Sequence, residues 1–246
     1  MTIIEEEIKV SVPKGSMNCL VLKPKEDGQY PVLVLYSEIF QLTGPIVRSA
    51  AMMAGHGFIV VVPEIYHEHL EAGTVLGYDD EGKNIGNDLK IKTAMSNYDD
   101  GLSAIIKEMK QDPKACGTFG SMGFCLGGHL AFRAALNPEI SAIASFYGTD
   151  IHSSTLGPDC ACDTFARISE MEAEFLMVWG RQDPHIPQEG RLKIYQELCS
   201  KDRNFTWHEF NAVHAFMRDE GERFNPSLAA QGYQLAVDLF NRKLKT

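Results

Sequence analysis

Near-continuous runs of apolar residues recur along the chain and alternate with segments whose apolar residues follow a helical spacing. Such runs are typical of strands that are buried on both faces of a parallel sheet. The runs predicted to be buried strands are 30–37, 58–64, 115–124, 140–148 and 174–180. Two N-terminal stretches, EIKVSV and MNCLVL, and the alternating NFTWHEF at 204–210 predict three further strands.

Segments with helical spacing separate most of these strands. They predict helices at 44–55, 88–110, 125–136, 188–200 and 227–243. The second of these helices is expected to be interrupted near Asp99–Gly101. Because strands alternate with helices, the chain is predicted to have an α/β fold, with a mostly parallel central sheet of about seven or eight strands and helices on both faces.

The segment 65–87 departs from this alternation. It is polar and rich in glycine, and its apolar residues show no clear period. Because long loops inside a compact domain usually carry function, we expect an excursion that serves as a lid. No break in composition marks a domain boundary, and 246 residues suit one sizeable domain, so residues 1–246 are predicted to form a single domain.

Charge and hydropathy narrow the range of partners. The formal net charge of −10 and the lack of basic runs argue against a nucleic-acid partner, because neutralising phosphates requires clustered Lys and Arg. No stretch approaches the roughly 18 consecutive apolar residues of a membrane span, so no membrane partner is expected. We therefore expect a small-molecule substrate and a monomer or a small homo-oligomer.

The N-terminus and the cysteines indicate the compartment. MTIIEEEIKV is acidic and lacks the basic and apolar regions of a secretory signal. The six cysteines are then most simply free thiols, and we expect a cytoplasmic protein. Cys160-x-Cys162 is too short a spacing for a zinc knuckle, and His67-x-His69 is a single pair. No metal and no cofactor are predicted.

Gly123-Phe124-Cys125-Leu126-Gly127 matches the nucleophile-elbow pattern, with cysteine in the serine position. It lies between a predicted strand and a predicted helix, as that pattern requires. The abrupt turn would project the Cys125 side chain at a helix N-terminus, which favours a thiolate and offers backbone N–H groups to an oxyanion. The alternative is that Cys125 is a buried apolar residue and that the glycines serve only packing.

A thiol nucleophile needs a base, and the base needs an orienting acid. In this architecture the order along the chain is nucleophile, acid, histidine. Asp183 follows the strand at 174–180 and His214 follows the strand at 204–210, so both meet that order at the carboxyl ends of strands. Cys125, Asp183 and His214 are therefore predicted to form a catalytic triad. Taken singly, Asp183 could be a turn residue before proline, and His214 a capping or surface histidine.

The remaining histidines near these motifs are expected to serve elsewhere. His208 lies within an alternating strand and should point to solvent or to the core. His185 belongs to the same turn as Asp183 and should be a rim residue. His129 follows Cys125 on the helix and should face its neighbours rather than the thiol.

Several motifs together resemble the dienelactone hydrolase family of α/β-hydrolases. They are SEIFQLTG, VVPEIYH, GFCLGG, SFYG, GRQDPHIP and HAFMR, and they span nearly the whole chain. The cysteine-centred elbow is the most selective of them. The resemblance implies the α/β-hydrolase fold and the hydrolysis of an ester or a dienelactone-like lactone without a cofactor.

The resemblance also implies roles for residues around the triad. Glu38 would partner the resting thiol until substrate displaces it, and the N–H groups of Ile39 and Leu126 would form the oxyanion hole. Arg218 and Tyr147 would bind the substrate. A carboxylate at an apolar strand end is expensive to bury without a partner, which agrees with such a role for Glu38. The alternative is an exposed loop glutamate.

A second substrate-binding arginine of the family has no counterpart, because no arginine lies between Arg48 and Arg133. Lys90 or Lys92 could stand in, although lysine lacks the bidentate fork. This departure keeps the reaction class and weakens the case for dienelactone itself. We predict a cysteine-dependent ester or lactone hydrolase with a thioester intermediate. Two alternatives stay open, namely a carboxylesterase or thioesterase of other acyl groups and a non-catalytic binding protein on the same fold.

Overall fold

A single sheet with the strand order β1-β2-β4-β3-β5-β6-β7-β8 organises the protein, as seen in a computed structural model whose described residues are 1–245. The strands are β1 (Ile3–Val12), β2 (Gly15–Pro24), β3 (Tyr30–Tyr36), β4 (Ile59–Pro63), β5 (Ala115–Phe124), β6 (Ile140–Phe146), β7 (Glu174–Gly180) and β8 (Phe205–Phe210). β2 pairs antiparallel with β1 and with β4, and all other neighbouring strands pair in parallel. The predicted α/β class and mostly parallel sheet are confirmed.

Helices cover both faces of this sheet. They are α1 (Gly44–Gly55), α2 (Asp80–Lys92), α3 (Met95–Met109), α4 (Leu126–Ala134), α5 (Gln188–Ser200) and α6 (Pro226–Leu244). Two successive residues of β5 show the two layers. A Cβ added to Gly120 would meet Leu244 of α6, whereas the Ser121 hydroxyl donates to the Ala131 carbonyl of α4 at 2.9 Å. Because successive strand residues point to opposite faces, α4 and α6 lie on opposite sides of β5.

The burial of each strand follows its place in the sheet. Every residue of β4 and of β7 is buried, which explains their near-continuous apolar sequences. Partly buried and exposed positions alternate along most of β1, and β8 has no fully buried residue; these are the two edge strands. The carboxyl ends of the parallel strands meet at one edge of this sheet, where open α/β sheets place their sites.

The prediction that residues 65–87 form an irregular excursion is wrong at the C-terminal end of this segment. Residues 80–87 belong to α2, because Asp79 caps this helix and its carboxylate accepts the Gly82 N–H at 2.7 Å. Leu89 is the one large apolar side chain that α2 buries within the described chain, so its sequence shows little hydrophobic periodicity.

The interruption expected at Asp99–Gly101 lies instead at Thr93, between α2 and α3. Thr93 adopts extended backbone, and its hydroxyl donates back to the Leu89 carbonyl at 2.8 Å. Asp99 continues α3 and accepts two hydrogen bonds from the buried Arg133 of α4 at 2.7 and 2.8 Å. This ion pair holds α3 against the helix that follows the elbow.

Candidate active site

Cys125 stands at the turn between β5 and α4 in a strained backbone conformation, with φ 58° and ψ −120°. Two glycines make this turn feasible. A Cβ on Gly123 would lie 2.1 Å from the Gly127 carbonyl oxygen, and a Cβ on Gly127 would lie 2.2 Å from the Tyr36 carbonyl oxygen. No larger residue fits at either place, which is the steric reason for the G-x-C-x-G spacing.

The Cys125 side chain is half-buried and lines a cavity of about 640 Å³ at the carboxyl edge of the sheet. The Cys125 carbonyl accepts the N–H groups of Gly128 at 3.0 Å and His129 at 3.3 Å, in the first turn of α4. Cys125 therefore lies at the cavity, directly before the N-terminus of α4.

His214 and Asp183 meet at the same cavity. His214 Nδ1 lies 2.6 Å from Asp183 Oδ2, and both side chains are buried. Because a carboxylate only accepts hydrogen bonds, Nδ1 carries the proton and Nε2 is left for another partner. Cys125 lines the same cavity as His214. Burial lowers the pKa of His214, but the charge of Cys125 and the hydrogen bonds to Asp183 and Cys125 outweigh burial and raise this pKa to about 10.

The structure thus brings together the three residues that the elbow pattern and the chain order singled out. Asp183 Oδ1 also accepts the backbone N–H of His185 at 2.8 Å. The His185 ring contacts the His214 ring edge-to-face, with 4.7 Å between the ring centroids. His185 lines the cavity, as expected for a rim residue.

His129 is fully buried and does not itself line the cavity. Its Nδ1 pairs with the Thr149 carbonyl at 2.8 Å, and its Nε2 lies 3.6 Å from the sulfur of the buried Cys162. Burial lowers the pKa of His129 to about 4, so the ring is neutral. Within residues 1–245, no three His, Cys, Asp or Glu side chains are grouped so that they could hold a metal ion. Cys160 is exposed.

Glu38 is buried at the end of β3, and its partners differ from the resting thiol that the resemblance implies. The Tyr78 hydroxyl donates to Glu38 Oε2 at 3.4 Å, and Arg218 Nη1 lies 3.7 Å from the same oxygen. The Arg218 guanidinium also stacks on the Tyr78 ring at 4.2 Å. Burial raises the pKa of Glu38, and the charges of Arg218 and His214 oppose this rise without cancelling it.

Two backbone N–H groups next to the thiol have free hydrogen-bonding capacity. Within residues 1–245, neither the Ile39 N–H nor the Leu126 N–H donates to a protein oxygen. Leu126 is the first residue of α4, where N–H groups lack an intrahelical acceptor. Ile39 lines the cavity beside Cys125. Free N–H donors beside a nucleophile are what an oxyanion hole requires.

Of the two substrate-binding residues expected from the resemblance, one lines the cavity and the other does not. Arg218 lines the cavity. Tyr147 does not, because its ring packs behind His214 at 5.2 Å between centroids and is only 1% exposed. Lys90 lines the cavity but is bound to Asp150 at 2.9 Å. Lys92 points away from the cavity, toward Asp88 on the exposed side of α2.

Sequence reasoning missed several residues of the cavity wall. They are Phe40, Tyr78, Lys83, Asn87, Thr149 and Arg223. Lys83, Asn87 and Lys90 follow one another at helical spacing, so they would have been found had α2 been recognised. Arg223 comes five residues after Arg218 and supplies a second guanidinium at the cavity.

The chain is similar to known hydrolases along most of its length. Residues 17–244 match the dienelactone hydrolase family. A Saccharomyces cerevisiae protein provisionally named carboxymethylenebutenolidase is 36% identical over 241 residues, which cover 94% of this chain and 88% of that protein. A Synechocystis protein with the same provisional name is 28% identical over the full length of both chains.

Solved structures share the fold. A provisionally named dienelactone hydrolase from Klebsiella pneumoniae superposes with a TM-score of 0.79 at 19% identity, covering 98% of this chain and 99% of that one. A dienelactone hydrolase-like promiscuous phosphotriesterase from metagenomic libraries gives the same TM-score at 17% identity and covers 99% of both chains.

None of the helices described here has the length and apolar character needed to cross a bilayer. The family match spans nearly the whole chain, and the yeast relative is more than 30% identical over nearly all of it. The chain belongs to the dienelactone hydrolase family, a family of hydrolases that act on small molecules.

Proposed function

We propose that the protein hydrolyses esters or lactones with Cys125 as the nucleophile, His214 as the acid and base, and Asp183 as the orienting carboxylate. One observation carries this proposal. The His214 ring is held by Asp183 at 2.6 Å and lines the same cavity as Cys125. This arrangement supports acyl transfer by a nucleophile, a base and an orienting acid.

In the first step the Cys125 thiolate attacks the substrate carbonyl carbon. The N–H groups of Ile39 and Leu126 stabilise the negative charge that develops on the carbonyl oxygen. When the tetrahedral intermediate collapses, His214 gives its proton to the leaving oxygen. An alcohol or enol departs and the acyl group remains as a thioester on Cys125.

Acylation itself converts His214 from an acid into a base. Although burial lowers the pKa of His214, the charge of Cys125 is the strongest of the influences that raise it. A thioester carries no charge, so its formation removes this influence and lowers the pKa of His214. The ring can then take a proton from water, whose oxygen attacks the thioester and releases the carboxylic acid.

Arg218 is proposed to bind a negatively charged or strongly polar group of the substrate. Its guanidinium lies at the cavity, held by stacking on Tyr78 and by the 3.7 Å contact with Glu38. A substrate carboxylate would compete with Glu38 for Arg218. Glu38 would then be released from this ion pair, and its raised pKa allows it to take up a proton.

A second candidate is a carboxylesterase or thioesterase that acts on other acyl groups. Lys90, which could stand in for the family's second substrate-binding arginine, favours this candidate. Asp150 already neutralises the Lys90 ammonium at 2.9 Å, and lysine cannot offer a bidentate fork to a substrate carboxylate. Turnover of cis-dienelactone measured beside short p-nitrophenyl esters separates the two candidates. A preference for dienelactone supports the first, and a preference for the neutral esters supports the second.

Replacing Cys125 tests the mechanism. We expect Cys125→Ala to abolish the turnover of p-nitrophenyl acetate, and Cys199→Ala, which removes an exposed thiol on α5, to leave turnover unchanged. Alkylation of Cys125 by iodoacetamide should abolish turnover as well, because it removes the nucleophilic sulfur. Full turnover by Cys125→Ala would exclude a cysteine nucleophile at this position.

A further inference from the structure

His185 shares the cavity with the proposed triad but has no part in the steps above. Its position is fixed through Asp183, since one carboxylate oxygen accepts the His185 backbone N–H at 2.8 Å and the other holds His214 at 2.6 Å. The same carboxylate therefore sets the location of both histidines relative to each other.

The two imidazole rings touch on the side that faces the cavity. Their centroids are 4.7 Å apart and their planes make an angle of 72°. Tyr147 contacts the His214 ring as well, at 5.2 Å, but Tyr147 is buried in the protein interior. His185 lines the cavity, so it borders the space through which any small molecule must approach His214.

The ring nitrogens of His185 are available to a molecule in that space. Within residues 1–245 the His185 side chain forms no hydrogen bond to protein, and part of the residue stays exposed. Burial of the ring, followed by the neighbouring positive charge on His214, lowers the pKa of His185. A neutral imidazole offers one donor and one acceptor nitrogen, which suits it to bind water.

We propose that His185 positions the water that hydrolyses the thioester on Cys125. This inference rests on the proposed function. One O–H of the water gives its proton to His214, and the water oxygen bonds to the acyl carbon. The C–S bond then breaks, its electron pair returns to the Cys125 sulfur, and the carboxylic acid leaves. His185 accepts a hydrogen bond from the second O–H and undergoes no net change in protonation.

Substitution at position 185 can separate this role from a structural one. Any residue except proline keeps the backbone N–H that Asp183 accepts, so His185→Gln and His185→Phe leave the contact between Asp183 and His214 in place. Glutamine can still bind water, whereas phenylalanine keeps an aromatic ring against His214 and cannot. His69→Gln, at an exposed histidine outside the cavity, is the matched control.

The measurement is the burst and the steady-state rate of p-nitrophenolate release from p-nitrophenyl acetate. For His185→Phe we expect the burst rate constant to stay within about twofold and the steady-state rate to fall on the order of tenfold or more, because only the water step loses a partner. Hydroxylamine, a stronger nucleophile than water, should restore turnover. His185→Gln should retain more of the steady-state rate, and His69→Gln should match the parent protein.

An unchanged steady-state rate in His185→Phe would overturn the inference. So would an equal fall in the burst and in the steady-state rate, which indicates a role in acylation or in folding. Both results leave Cys125 acylated and the proposed function intact. If the unsubstituted protein forms no acyl group on Cys125, the proposed function fails and this inference fails with it.

Discussion

Replacing Gly86 with alanine should impair the proposed oxyanion hole without altering the residues of the proposed triad. Gly86 lies in α2, packed against Ile39, and an added Cβ would lie 2.6 Å from the Ile39 carbonyl oxygen and 2.9 Å from the Ile39 Cβ. Real Cβ atoms essentially never come closer than 3.0 Å to such neighbours. Either Ile39 or α2 therefore has to move by roughly half an ångström to restore normal contact.

Gly86→Ala should reduce kcat more than it reduces the stability of the fold. Removing one oxyanion donor costs about 10²- to 10³-fold in kcat, or about 3–4 kcal/mol. Displacing the Ile39 N–H rather than deleting it should cost about 10- to 100-fold, with a smaller change in KM. Alanine inside a helix is favoured over glycine by about 0.5–1 kcal/mol, which offsets part of the strain in the folded state.

Stopped-flow or steady-state kinetics with p-nitrophenyl acetate, together with the Tm, measure both effects. Gly55→Ala is the matched control, because an added Cβ at the end of α1 meets nothing within 4 Å. It should leave kcat unchanged. If Gly86→Ala is folded and keeps kcat within about twofold of the parent protein, the Ile39 N–H does not hold the oxyanion or α2 yields without moving it, and the reasoning is refuted.

Two further predictions concern the buried carboxylates. Burial raises the pKa of Glu38 above its ordinary value of 4.5, so Glu38→Gln should stabilise the fold little below pH 4.5 and increasingly as the pH rises through the raised pKa. Urea unfolding from pH 4 to pH 8 checks this, and a stability difference that is independent of pH would contradict it. Asp183→Asn should lower kcat by up to about 10⁴-fold, because an amide cannot hold the His214 tautomer that keeps Nε2 free. Circular dichroism should show an unchanged fold for this variant, and a loss of less than about tenfold would contradict the role of Asp183.

The sheet and the positions of Cys125, Asp183 and His214 could be predicted because their patterns are local or ordered along the chain. β4 and β7 are buried on both faces, so their sequences are apolar throughout. The elbow needs glycine at 123 and 127 for a steric reason that a short motif records. Asp183 and His214 each follow a strand, and the shared sheet edge then brings them to Cys125.

The cavity wall was harder to predict, because it depends on contacts between distant segments. α2 begins after the Asp79 cap and has little apolar periodicity, so the sequence of its first part resembles an irregular segment. For this reason the cavity residues Lys83, Asn87 and Lys90 could not be recognised as one face of a helix. The contact of Tyr78 with Glu38 joins two loops that no local pattern relates. Tyr147 is expected from the resemblance to bind the substrate. Its backbone instead has a φ of 41°, and its ring lies in the interior behind His214.

The most direct test of the account is to find which atom carries the acyl group during turnover. The protein is mixed with p-nitrophenyl acetate, quenched in acid within the burst phase, digested and mapped by mass spectrometry. The account predicts one acetyl group per chain, on the peptide that contains Cys125 and released by hydroxylamine, with Cys199 unmodified. Full turnover without an acetyl group on Cys125, or with the group on another residue, would contradict the account.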